Sequence, residues 1–456
     1  MEPTGPAAGA PPRRSVLRAG LAALAVLPPA AACGAPGGAA PRRAETAPKA
    51  PGEKVVLTYW TWWPGLQKVA DIWNADHPDI RVEVETVPGG IDGGYAKLFN
   101  ALLVGSQPDL AQVEYFQIPS FLLEDGLEDL TAFGAAEAEG LFDPWPWEQC
   151  SYLGGQYGIP VDTGPMMLFY RADRYREWGI EPPDTWEAYA EAARAVRAAD
   201  EDSHIESFPL GDADWLAAMC MQAGARWFTP DGDTWVVHLL DDASVKVVRF
   251  WEELVRDGAL NLTHNIWSSG WMQGLQRGTI GSWTVASWGD AIIKGNDPDE
   301  PGRWAAAPLP GWEGEPRAEA GWGGSASVVP RGAAHPYEAA AFAVWLSTDP
   351  RAVDAMITEC GTGWTVAGDA DGGRVRREPD PYFTGGDHHR VAARAAEGID
   401  VDWDWGPTLS STKEHVGDAF RAALAGGGSF VDAMARVQRR TVADLRRKGL
   451  SAKEAG

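Results

Sequence analysis

From residue 54 onward, short apolar runs alternate with amphipathic stretches in a regular order. Residues 54–60 form a β-rich apolar run. Leu66, Val69, Ile72 and Trp73 recur at helical spacing, and Ile80, Val82 and Val84 then alternate with Arg81, Glu83 and Glu85. Strand, helix and strand within about thirty residues is the size of a βαβ unit. The pattern continues with a helix over 95–104, the turn Gly105-Ser106-Gln107-Pro108-Asp109, and a strand over 110–113 that ends at Glu114 and Tyr115. A further strand is predicted over 166–170, after the Gly- and Pro-bearing stretch 158–165. Helices are expected over 185–199, 215–223, 244–257, 336–347, 350–358, 410–424 and 429–448, and a strand over 281–286 leads into Trp288. No internal repeat is visible. In open parallel sheets ligands sit beyond the carboxyl ends of the strands. That makes Thr61-Trp62-Trp63-Pro64-Gly65 and Glu114-Tyr115-Phe116 candidate site walls.

The first 53 residues follow a different grammar. Arg13-Arg14-Ser15 opens an uncharged, Ala- and Leu-rich stretch over 19–32 that ends in Ala30-Ala31-Ala32-Cys33. It is too short to span a bilayer and reads as the apolar region of a signal peptide over 1–32. The paired arginines resemble a twin-arginine export signal, and the small residues before Cys33 resemble a lipobox, which makes Cys33 the expected lipidation site. Residues 33–53 have the composition of a flexible tether.

Charge and composition narrow the function. Against 39 Lys plus Arg stand 64 Asp plus Glu, a formal net charge of −25, which repels phosphate backbones and argues against a nucleic-acid partner. The 23 tryptophans, set among Gly- and Pro-rich turns, suggest surfaces that grip something flat. After Cys33, three cysteines remain: Cys150, Cys220 and Cys360. One disulfide among them would leave a thiol over, and Cys220, between two methionines in an apolar helix, reads as a buried free thiol. No CxxC pair, GxSxG, GxxxxGK[ST] or HExxH motif occurs.

As an ordered set, the exported leader, "YWTWW", "GSQPDLAQVEYFQIPSFL", "YGIPVDTGPMMLFYRADRYREWGI", "GTIGSWTVASW", "GWGGSASVVPRGAAHPYEAAAFAVWLSTDP" and "YFTGGD" before "WDWGPT" resemble the sugar-binding lipoproteins of bacterial ABC importers, the extracellular solute-binding family 1. The likeness is greatest to their actinobacterial oligosaccharide-binding branch, and more distant to maltose-binding protein. The resemblance implies an α/β, two-lobe periplasmic-binding-protein-like fold, with hinge-connected lobes and a ligand cleft between them. Lobe 1 would comprise 54–163 and 322–362, and lobe 2 would comprise 164–321 and 363–456. The chain would cross between them near 162–166, 312–324 and 361–366. It also implies a monomer, anchored to the membrane through lipid, that delivers a carbohydrate to the permease of an importer and uses no cofactor.

A pyranose presents an apolar C–H face and a rim of hydroxyls, so its binder needs flat aromatic area and hydrogen-bonding side chains. Position after strands or at the expected crossings selects Trp62, Trp63, Trp283, Trp288, Trp322, Trp364 and Trp403 for stacking, and Glu114, Asp162 and Asp402 for hydroxyls. Val401, Trp403 and Trp405 alternate with Asp402 and Asp404, so only the rings or only the carboxylates face a ligand. Gly323, within Trp322-Gly323-Gly324-Ser325, lets backbone approach a ligand or lets a crossing bend. Asp387-His388-His389 is expected in a loop whose neighbouring side chains diverge, with no metal bound, and Asp369-Ala370-Asp371-Gly372 is expected as a polar turn. Two other readings use the same residues: a secreted glycoside hydrolase with paired carboxylates, and a glycan-binding adhesin lipoprotein.

Overall fold

The computed structural model describes residues 47–367, 374–399 and 402–455. The leader, Cys33 and most of the tether lie outside these residues, as do Asp369-Ala370-Asp371-Gly372 and Val401. The expected βαβ unit opens the described fold. Val55–Thr61 and Ile80–Thr86 pair in parallel from Val55↔Ile80 to Thr61↔Thr86, and the helix Leu66–Asp76 between them buries Leu66, Val69, Ala70 and Trp73. Leu110–Glu114 joins the other side of the first strand, also parallel. The three carboxyl ends therefore share one edge of a first lobe.

The centre of the molecule is a single long strand, Ile159–Arg171, all but one of whose residues are buried. Its first half pairs antiparallel with Gly321–Val328 and Trp364–Thr365. Its second half pairs antiparallel with Ser282–Ala286 and Trp304–Pro308, which form the sheet of the second lobe. The sequence pattern starts this strand at Met166, because Pro160, Gly164 and Pro165 punctuate what precedes it. Tertiary pairing overrides that punctuation. Pro165 has no N–H to give, yet its carbonyl accepts from Ser287 N at 2.9 Å, and the ladder to Gly321–Val328 is irregular between Gly321 and Gly324. The three segments where crossings are expected thus lie side by side.

Two apolar clusters flank this axis. One underlies the parallel strands with Leu57, Tyr59, Val69, Trp73, Phe342 and Leu346. The larger one fills the second lobe with Trp186, Trp215, Trp227, Trp251 and Trp271 and continues into first-lobe residues such as Val113, Tyr115 and Phe121. Each fully buried side chain of this size contributes about 1.5–3 kcal/mol. Helices Leu409–Gly426 and Phe430–Arg447 close the second lobe, the latter capped by Ser429, whose side chain accepts from Val431 N and Asp432 N. Among the described residues, no helix is long and apolar enough to cross a membrane. Cys150, Cys220 and Cys360 are all buried free thiols. The tether reading needs one correction: Lys49 N donates to Glu338 Oε1 at 2.7 Å, so the chain is fixed to the first lobe before Glu53.

Candidate ligand cleft

One candidate wall is a run of tryptophans that starts at the crossing strands. Trp288 follows the carboxyl end of Ser282–Ala286 and precedes the helix Gly289–Asn296. Its Nε1 donates to the Trp322 carbonyl at 3.1 Å, and its ring meets the Trp322 ring edge-on at 5.0 Å. On its other side lies Trp267, with ring centres 6.0 Å apart and planes 27° from parallel. Trp267 is 48% exposed and has φ +73°, a left-handed backbone that costs a bulky residue free energy. From buried Trp322 through partly buried Trp288 to exposed Trp267, aromatic surface steps outward from the crossing strands. Gly323 beside Trp288 has φ +80°, and Gly324 has φ +102° with the Tyr115 ring where a Cβ would be, so the crossing demands glycine at both positions.

The first-lobe side is polar. Glu114 closes Leu110–Glu114, and its Oε2 accepts from Tyr95 Oη at 2.7 Å while its N donates to the same phenol at 3.2 Å. Trp62 stands edge-on to Tyr95 at 6.0 Å, and its backbone N donates to Gln112 Oε1 at 3.1 Å. Across from Glu114, the second lobe presents Asp214 from Ala213–Gln222, ion-paired with Lys413 from Leu409–Gly426. The Lys413 ammonium also lies 3.7 Å above the Phe116 ring. Burial pushes Glu114 up to about 7, opposed by Lys413 and reinforced by the Asp214 charge. Asp212, the cap of the same helix, is pushed up to about 6 by burial and by Asp214. One ammonium among three carboxylates makes this a place for ligand hydroxyls to complete unsatisfied hydrogen bonds.

Asp162 does a different job. It is buried in the long strand, its Oδ1 accepts from Ser325 N and its Oδ2 from Gly363 N, both at 2.9 Å, and its carbonyl accepts from Tyr115 Oη at 2.7 Å. Its carboxylate therefore ties the three crossing segments to one another. Burial still pushes it up to about 6, against the two backbone N–H groups.

The structure gathers Trp62 and Glu114 around Tyr95, and Trp288 and Gly323 beside Trp322 at the crossings. Trp364 is buried where its strand pairs with Thr163, under the Arg376 guanidinium. Trp63 belongs to the first-lobe core, Trp283 and Trp403 to the second. Asp402 points outward, its carboxylate 70% exposed and ion-paired with Arg226 at 3.1 Å. In 402–405 the rings are thus the inward-facing set. Tyr95, Asp214, Lys413 and Trp267 escaped the sequence reading, whereas Phe116 lies in the expected wall Glu114-Tyr115-Phe116. Trp267 alone carried a signal, as one more tryptophan near the 281–288 segment.

A groove of about 1130 Å³ runs along the seam between the lobes, lined by Phe99, Leu102, Gln117, Thr408, Ser411 and Lys448. It contains neither Trp62, Glu114 nor Trp288. Ser120 Oγ donating to the Pro407 carbonyl at 3.0 Å and the Lys448–Glu124 pair at 3.2 Å bridge it. This groove is separate from the aromatic cleft.

With the geometry in hand, known proteins can be compared. The chain is 26% identical over 299 residues to the arabinooligosaccharide-binding protein of Bacillus subtilis (strain 168), an alignment that covers 61% of this chain and spans 66% of that relative's length. The galacto-N-biose-/lacto-N-biose I-binding protein of an ABC transporter from Bifidobacterium longum, solved with lacto-N-biose, superposes with a TM-score of 0.79 at 26% identity, covering 89% of this chain and all of that one. The ABC-transporter-associated binding protein of B. animalis subsp. lactis Bl-04, solved with β-1,6-galactobiose, superposes with a TM-score of 0.77 at 24% identity, covering 88% and 99% of the two chains, and shares the fold. The family model described as bacterial extracellular solute-binding protein matches residues 61–352. This chain is a member of the bacterial extracellular solute-binding protein family.

Proposed function

We propose that this protein is the extracytoplasmic receptor of an ABC importer, capturing a carbohydrate between its lobes and delivering it to the permease without altering it. Two observations carry this reading: the Trp322–Trp288–Trp267 aromatic steps beside the crossing strands, and the Glu114, Asp214 and Lys413 cluster, where side chains of the two lobes meet. Flat apolar faces and a cage of charged acceptors and a donor are the two things a sugar ring asks for. The relatives named for oligosaccharides and disaccharides support the same ligand class, and three stepped rings favour an oligosaccharide. The lobes divide as 54–163 plus 322–362 and 164–321 plus 363–456. The leader exports the chain by the twin-arginine route, lipidated Cys33 holds a monomer to the outer face of the membrane, and the tether lets it reach the permease.

The test is a thermal-shift screen of the purified chain lacking residues 1–33 against mono- and oligosaccharides, with product analysis of each hit. A ligand at about a hundred times its dissociation constant adds roughly 2.7 kcal/mol to the folded state. A large shift with an intact sugar is the expected result. Cleaved product would instead assign Glu114 and Asp214 to hydrolysis, and no shift with any sugar would overturn the carbohydrate reading.

A further inference from the structure

Just after Trp288 in the chain, two helices bring three metal-ligating side chains together. Asp290 lies in the first turn of Gly289–Asn296, and His388 and His389 open His388–Glu397. One ligand atom from each lies within 4.8 Å of the others. The expectation that the neighbouring histidines diverge holds for a strand. At this helix start their rings lie side by side instead, with centres 3.8 Å apart. Asp290 is 6% exposed and His388 2% exposed, yet they meet only through a long Nε2···Oδ2 contact of 3.4 Å, and His388 Nδ1 has no partner at all. Asp290 Oδ1 also accepts from Ala291 N at 2.5 Å, so the open position in this buried cluster is at His388 Nδ1.

Space and charge point the same way. A cavity of about 230 Å³ adjoins the cluster, walled by Asp290, His389, Lys294, Arg376, Glu378 and Asp380. Its two cations face three carboxylates, so with neutral imidazoles the wall carries a net negative charge. Within this wall Lys294 pairs with Asp380 at 2.9 Å, and Arg376 Nη2 donates to the Thr362 carbonyl at 2.7 Å. Lys294 stands 3.7 Å from Asp290. We infer that Asp290, His388 and His389 form a binding site for a divalent transition cation of the Zn²⁺ type, with water from the adjoining cavity completing the coordination. Two imidazoles and a carboxylate are a donor set that such cations accept with open positions left over. The site joins the helix that follows Trp288 to the helix that starts at His388, beside Gly361 and Thr362 of the last crossing. A bound cation would brace the helix that follows Trp288 against the helix that starts at His388. The inference is independent of what the cleft binds.

The experiment is a calorimetric titration of the full chain, carrying no polyhistidine tag and stripped with EDTA, against Zn²⁺, with Co²⁺ absorption as a second readout. One equivalent binding at micromolar or lower concentration is expected, with a visible Co²⁺ spectrum of imidazole and carboxylate ligation. His389→Ala and Asp290→Asn should each weaken binding at least about tenfold, since even partners outside the ligand shell cost ~10–100-fold. Circular dichroism checks the fold of both. Should Asp290→Asn not fold, His389→Ala decides, because its ring is only partly buried. No uptake at millimolar Zn²⁺, or one-equivalent binding that the variants leave unchanged, would overturn the site.

Discussion

A buried carboxylate and a partly buried one sit within reach of each other's fields and live opposite lives. Asp162, at the hinge, has both oxygens filled by backbone N–H groups of neighbouring crossings. Glu114, in the cleft, is held by a single phenol and faces a lysine and an aspartate across the gap between lobes. Both are pushed upward by burial, to about 6 and about 7. The titration alone does not tell the two apart. The partners do: a carboxylate saturated by its own backbone is scaffold, whereas one with vacant acceptor positions and mobile-chain neighbours is available to a ligand.

The comparison can be broken in order of effect. Asp162→Ala leaves two buried N–H groups without acceptors, each costing about 1–3 kcal/mol, so chemical denaturation should record a loss of about 2–6 kcal/mol. If stability hardly changes, Asp162 is not the tie among the crossings. Trp288→Ala removes a stacking face worth about 1.5–3 kcal/mol and should weaken sugar binding roughly ten- to a hundredfold in calorimetry. Unchanged affinity would take the aromatic steps out of the site.

Glu114→Gln sharpens the contrast through pH. Because the folded value of Glu114, about 7, lies above the ordinary 4.5, folding takes up a proton between the two. Its contribution is fully present below about 4.5 and is lost as pH rises through 7. The native protein should therefore gain melting temperature relative to Glu114→Gln as pH falls from 7 to 4.5, and parallel melting curves would contradict the burial of Glu114. Asp162 acts in the same direction from about 6. Trp267→Gly relieves a left-handed backbone that costs about 1–2 kcal/mol. It should leave stability level or slightly higher while weakening the ligand, and a protein that is less stable but binds as before would make Trp267 structural. The smallest effect belongs to Asp402→Ala, an exposed ion pair worth at most about 1 kcal/mol, with sugar affinity unchanged.

How much of this was legible in the sequence depended on whether a feature was local. The βαβ opening, the candidate loops at Trp62 and Glu114, and the helices with clear apolar faces follow from periodicity. The long central strand does not, because Pro160, Gly164 and Pro165 read as breakers and only neighbours more than a hundred residues away override them. Tryptophan selection was ambiguous for a physical reason: Trp63, Trp283 and Trp403 fill cores with the same apolar surface that Trp288 turns to the cleft. Tyr95, Asp214 and Lys413 are lone polar residues on three different helices, and nothing in their local sequence announces that the fold will gather them. The left-handed backbone of Trp267 has no sequence trace at all.

The central strand also sets which changes in chain length the molecule can absorb. Because Ile159–Arg171 belongs to both sheets, its alternation of faces is a shared phase. A single residue inserted or deleted near Gly164 would leave one half in place and turn every side chain of the other half to the opposite buried face, so both packed faces of one lobe's sheet would have to be refilled. Surface loops accept such edits cheaply. In this family member the interior of one strand is the segment where the reading frame of the fold itself is kept.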